Sequence, residues 1–176
     1  MLQCEALSAA GLTHVLYPGD KQYENRTSSY WSVSAQLTPY CVVQPLGTEQ
    51  VSTVLKTLVG HGACRETKFA IRSGGHTTWS GSNNIKDGVT VDLGLMNTTT
   101  LDPTTRIASV QPGTRWGRVY GTLDPLGFTV AGGRAASVGV AGFLTGGMIS
   151  FDIRYSSVAD AFRWEFVLQR ASRFRL

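Results

Sequence analysis

"KFAIRSGGHTTWSGSNN" runs from Lys68 to Asn84 and decides the fold. Its apolar start reads as a strand, which breaks abruptly into Arg72-Ser73-Gly74-Gly75-His76-Thr77. Paired glycines after a strand leave backbone N–H groups unshielded by Cβ atoms, an arrangement that suits an anion. Arg72 adds a cation beside the turn. Taken alone, His76 is more economically a hydrogen-bonded structural residue than a functional one, because the sequence spells out no Ser-His-Asp partners nearby. The loop is neither G-x-x-x-x-G-K-[ST] nor G-x-G-x-x-G, so pattern alone gives a phosphate cradle or merely a tight turn.

Working outward, "YCVVQP" (Tyr40 to Pro45) is a short β-branched strand stopped by proline. Thr48 and Glu49 open a helix whose Val51, Val54, Leu55, Leu58 and Val59 share one face, and Gly60 ends it. "GVTVDLGL" (Gly88 to Leu95) alternates Val89, Val91 and Leu93 inward against Thr90 and Asp92, and Asp92 is either a ligand contact or, as strand-end acids usually are, simply solvated. "TRIASVQPG" (Thr105 to Gly113) is a fourth strand. Thr114 is expected to cap a second helix with Trp116, Val119, Tyr120 and Leu123 on one face, closed by "DPLG". "FTVAGG" and "WEFVL" read as further strands, on either side of the glycine-rich tract from Gly132 to Ser150. Residues 1–35 look like an irregular arm held by Tyr23, Tyr30 and Trp31. This order argues α+β or α/β with a parallel start.

The chain has 176 residues, 42% of them hydrophobic, which supports a packed core. Of its net charge of +4, +3 falls from Arg163 onward, where four arginines face one acid. That basic end carries no recognisable nucleic-acid module, so no nucleic-acid partner is expected. No run of 18 apolar residues occurs, so no membrane span is expected. The opening "MLQCEALSAAGL" lacks the charged and apolar regions of a signal peptide, while sequons at Asn25 and Asn97 hint at secretion. Cys4, Cys41 and Cys64 fit no zinc spacing and no metal site is expected; Cys41 and Cys64 either close a loop or remain buried thiols. Nothing in the sequence specifies an oligomeric state.

Three stretches together carry a resemblance: "FAIRSGGHTTWSGSNNIKDGVTVDLGLMN", "IASVQPGTRWGRVYGTLDPLGFTVAGGR" and "SVGVAGFLTGGMISF". With the lead-in "YENRTSSYWSVSAQLTPYCVVQP" they resemble fungal FAD-linked oxidases of the berberine-bridge-enzyme-like group, in the vanillyl-alcohol-oxidase superfamily, over roughly residues 15–155. The resemblance implies an α+β, PCMH-type FAD-binding domain over 36–168 with a parallel-strand/helix first subdomain and an incomplete second one. Residues 1–35 are then the arm, 169–176 a basic tail, and the substrate domain is absent.

The resemblance further implies that Ser73, Gly74, Gly75, His76 and Thr77 wrap the FAD pyrophosphate, with Arg72 beside them and His76 bonded to the flavin 8α-methyl carbon. Ser137, Val138, Gly139, Gly142 and Gly146 match the second FAD loop. The family's occasional second attachment cysteine aligns near Ala135, so a single tether is implied. The family's cysteine positions favour a Cys41–Cys64 disulfide. The implied reaction is hydride transfer from a small-molecule substrate to flavin N5, with reoxidation by oxygen. After Tyr155 the family pattern stops: "SSVADAFRWEFVL" and "QRASRFRL" replace it, which reads as a truncation, a mis-spliced gene model or a frame change. The family's catalytic base comes from the substrate domain, so none is assigned. The alternative is a catalytically silent fragment that binds FAD without turnover or binds nothing.

Overall fold

The structure, a computed structural model, describes residues 2–60, 68–147, 165–167 and 169–170. The chain forms two compact units, Met1–Met96 and Asn97–Leu176.

In the first unit, strands β1 (Val15–Leu16), β2 (Cys41–Val43), β3 (Phe69–Arg72) and β4 (Val89–Asp92) form one sheet in the order β1-β2-β4-β3. β2, β4 and β3 run parallel, with Cys41 opposite Val89 and Arg72 opposite Asp92; β1 joins antiparallel. This bears out the parallel start. Helix α3 (Thr48–Val59) supplies the crossover from β2 to the parallel strand β3, with β4 between them in the sheet. Its expected face is narrower than the spacing predicts: Val54 and Leu58 are buried, whereas Val59 is 66% exposed.

The expected irregular arm is largely helical. α1 (Leu2–Ala9) and α2 (Lys21–Ser28) flank β1 and belong to the body of the unit. Cys4 and Leu7 of α1 join Cys41, Val43, Val54, Leu58, Val89 and Val91 in one core. Val42 points to the opposite face, against Leu16 and Tyr23. A short, non-periodic stretch such as "LQCEALSA" carries little helical signal of its own, and packing on α3 and the sheet completes it.

Cys4 and Cys41 form a disulfide, with Cα atoms 6.1 Å apart. This corrects the expected Cys41–Cys64 pairing; Cys64 lies outside the described residues. Sequence spacing favours no pairing among three cysteines, and only the docking of α1 on β2 brings Cys4 within reach.

In the second unit, β5 (Thr99–Asp102) and β6 (Ile107–Val110) pair antiparallel, and β8 (Glu165–Val167) pairs antiparallel with β6. β5 has no counterpart in the sequence reading, because "TTLD" holds one strong apolar residue. α4 (Trp116–Leu123) buries Trp116, Val119 and Leu123 as expected, against Ala108, Val130, Val140 and Phe143. Its N-cap is Arg115 rather than Thr114. β7 (Phe128–Thr129) follows Gly127, whose φ of +77° allows the reversal after "DPL", and pairs with β9 (Gln169–Arg170). α5 (Val140–Thr145) follows the second glycine-rich loop. The basic tail beyond Arg170 lies outside the described residues.

Candidate functional site

The Arg72-to-Thr77 loop leaves the carboxyl end of β3, the end at which open parallel sheets present ligands. Gly75 has a φ of +71°, and a Cβ there would stand 2.8 Å from Arg72 Nε. Two independent constraints therefore demand glycine at this point: the left-handed backbone and the guanidinium packed beneath it. Gly74 and Gly75 are buried, while Ser73, His76 and Thr77 are half-buried, so the loop offers side chains over a shielded backbone.

Arg72 takes a role different from the one expected of it. It is 1% exposed. Its Nη1 donates to Arg26 O at 2.7 Å, and Nη2 donates to Ser29 Oγ at 2.9 Å and Ser29 O at 3.3 Å. Its Cζ lies 3.8 Å from the centre of the Tyr30 ring. The guanidinium thus binds the carbonyls of Arg26 and Ser29 at the end of α2 instead of pointing at an anion. Tyr30 in turn donates its hydroxyl to Asn83 O. Burial pushes its phenol up to about 12, against the opposing pull of Arg72.

The segment after α2 lies along the loop. Trp31 N donates to Gly75 O at 3.0 Å, and the Ser34 hydroxyl donates to Thr78 O at 2.7 Å. The Trp31 indole stacks on the His76 imidazole, with centroids 4.8 Å apart and planes 19° from parallel. Asn84, fully buried, donates to Ala35 O and Leu37 O and accepts from Ile85 N and Thr90 Oγ1. Nothing in "SGSNN" distinguishes this asparagine from a loop-tip residue; its partners are supplied from residues 35 and 37, far away in sequence.

Asp92 is likewise buried, not solvated as its place in the strand suggests. Oδ2 accepts from Arg26 Nε at 2.6 Å and Gln44 Nε2 at 2.8 Å, and Oδ1 accepts from Arg26 Nη2 at 2.8 Å and Gly94 N at 3.0 Å. β4 is central and covered on both faces, so its alternation sorts residues between two buried layers rather than between core and water.

In the second unit, residues 135–139 lie antiparallel to the start of α4. Trp116 N donates to Val138 O, Gly117 N to Ala136 O and Val140 N to Thr114 O, and Arg115 Nη1 reaches Ser137 O at 3.0 Å. These bonds satisfy the amides that begin α4, which a cap would otherwise serve. Gly132 and Gly133 leave room for the Trp116 indole, and a Cβ on Gly132 would clash with that ring, 2.2 Å from Cζ3. Tyr120 donates to Gly133 O. Ser137, Gly142 and Gly146 are exposed, Val138 is half-buried and Gly139 is buried. Each predicted loop is thus a built feature of its own unit.

The sequence matches the family described as "FAD binding domain" over residues 39–172. Among curated relatives, an FAD-dependent monooxygenase of Emericella nidulans, sdcF, is 50% identical over 85% of this chain and 31% of its own length. Another, drtC of Aspergillus calidoustus, is 47% identical over 75% of this chain and 25% of its own length. This chain therefore spans a third or less of these relatives. Among solved structures, the xylooligosaccharide oxidase of Myceliophthora thermophila superposes with a TM-score of 0.68 and 28% identity, over 81% of this chain and 29% of that one. The BBE-like 1 protein of Physcomitrella patens superposes with a TM-score of 0.74 at 24% identity, over 90% of this chain and 34% of that one, and shares the fold. The chain belongs to the FAD-binding domain family.

Proposed function

We propose that this chain is the FAD-binding part of a flavin-dependent oxidoreductase in which His76 tethers the cofactor. The observation that carries the reading is His76 itself: a half-buried imidazole on a glycine loop at the carboxyl end of a parallel sheet, held by Gly75 and Trp31. The residues fit the group. Ser73 to Thr77 present small side chains and a glycine backbone that a pyrophosphate can approach closely. The family match also covers Ser137, Val138, Gly139, Gly142 and Gly146 in the second unit, where the amides of Val138 and Gly146 are bonded to Ala135 O and Gly142 O. Arg72 acts from below the first loop, fixing its shape. When bound, the flavin supplies the two-electron acceptor, and the protein's part is to hold and orient it.

The proposed reaction of the whole protein is oxidation of a small-molecule substrate at a C–H bond, with dioxygen as final acceptor. The monooxygenase names of the fungal relatives and the sugar-oxidase name of a solved neighbour support a small-molecule substrate. Folding in an oxidising compartment belongs to the same proposal, supported by the Cys4–Cys41 disulfide and by the sequons at Asn25 and Asn97. Among the described residues, no helix is long and apolar enough to cross a membrane.

The test is direct. The chain is expressed, supplied with FAD, denatured and run on a gel under ultraviolet light. A fluorescent band in the native sequence that is lost in His76→Ala supports the tether. A colourless protein after FAD is supplied refutes flavin binding by this chain.

A further inference from the structure

We propose that Trp31 is the positioning residue for His76: it fixes the plane of the imidazole and so the direction in which its nitrogen meets the flavin. The proposal rests on the flavin reading above.

Trp31 is 62% exposed, so core burial does not explain its place. Its ring lies flat on that of His76, and the bonds on either side of it hold it there. Before it, Tyr30 and Ser29 are bound by the Arg72 guanidinium. At Trp31 the backbone N–H reaches Gly75 O, one residue before His76. After it, Ser34 reaches Thr78 O, two residues beyond His76. The plate and the ring it supports are thus fixed to the same short stretch of backbone.

The physical need is specific. The second side-chain torsion of histidine is broad, because it joins an sp³ to an sp² carbon. A parallel indole at stacking distance removes that freedom while leaving both ring nitrogens at the edge of the stack. Attachment replaces the imidazole N–H and one flavin methyl C–H by a C–N bond. The two protons and two electrons released end on dioxygen, which becomes hydrogen peroxide. A nucleophile held in line gains rate from orientation alone.

Two measurements test this on the full chain. The first needs no flavin: in the NMR spectrum the His76 ring protons lie upfield of free histidine because of the indole ring current. They return towards the free position in Trp31→Ala and stay shifted in Trp31→Phe. The second follows covalent FAD on denaturing gels, with total bound FAD measured in parallel. Trp31→Ala slows attachment by on the order of tenfold to a hundredfold while total bound FAD is retained; Trp31→Phe recovers most of the rate. His76 resonances at the free position in the native sequence overturn the proposal, as does attachment at the native rate in Trp31→Ala. A native chain that shows the upfield shift but takes up no flavin, or keeps covalent flavin in His76→Ala, refutes the flavin reading. The attachment role of Trp31 falls with it, while the NMR result keeps that failure distinct from a failure of the stack.

Discussion

Breaking the Cys4–Cys41 bond tests how the N-terminal helix is held. The two cysteines are 37 residues apart. Closing a loop of that length in the unfolded chain restricts it by about 4 kcal/mol at 25 °C. Both residues are buried, at 1% and 0% exposure, so truncating the sulfurs adds a packing loss on top. Urea unfolding of the oxidised chain, the reduced chain and Cys4→Ala/Cys41→Ala separates the two contributions. With an m-value of about 2 kcal/mol per M, reduction alone lowers the first unit's midpoint by about 2 M. The double variant falls at or below the reduced chain. Non-reducing peptide mapping after alkylation recovers the Cys4 and Cys41 peptides as one linked species. A Cys41–Cys64 linkage, or a midpoint unmoved by reduction, refutes the reasoning.

Asp92→Ala strips the acceptors from Arg26, Gln44 and the Gly94 amide; it costs about 3 kcal/mol in urea unfolding, at the low end for a broken buried pair because Arg26 keeps partial access to water. Gly75→Ala forces a side chain into the left-handed region and against Arg72, costing at least about 1–2 kcal/mol, and it diminishes the fluorescent flavin band together with stability. Tyr30 gives a pH signature. Its phenol is held up to about 12 by burial, so the unfolded chain loses that proton first as pH rises past about 10. This contribution is complete below pH 10 and is lost as pH rises towards 12. Tyr30→Phe is destabilised by about 1 kcal/mol at pH 8 through the lost bond to Asn83 O, and the gap from the native sequence narrows by pH 11.

The parts of this molecule legible in the sequence are those decided locally. The alternation of "VTVD", the spacing in α3 and α4 and the glycines after β3 each carry their own period or turn chemistry. What stayed hidden depends on partners distant in the chain. Asp92 reads as solvated because its sequence neighbours do not reveal that β4 is central, or that Arg26 and Gln44 cover it. Arg72 reads as an anion ligand because its position beside the loop is visible while the carbonyls of Arg26 and Ser29 are not. Trp31 was legible only as an anchor. Its partner, His76, is 45 positions away, and a stacked pair leaves no periodic trace.

The indole of Trp116, seated where Gly132 and Gly133 have no side chains, has a consequence for how this sequence can vary. The three positions share one volume, so they are free to change only together. A side chain gained at Gly132 is tolerable where position 116 has shrunk, and a smaller residue at 116 leaves a hole that the glycines cannot fill. Reverting either change alone would then be harmful in the new background, so the glycine run before the second loop acts as an evolutionary ratchet.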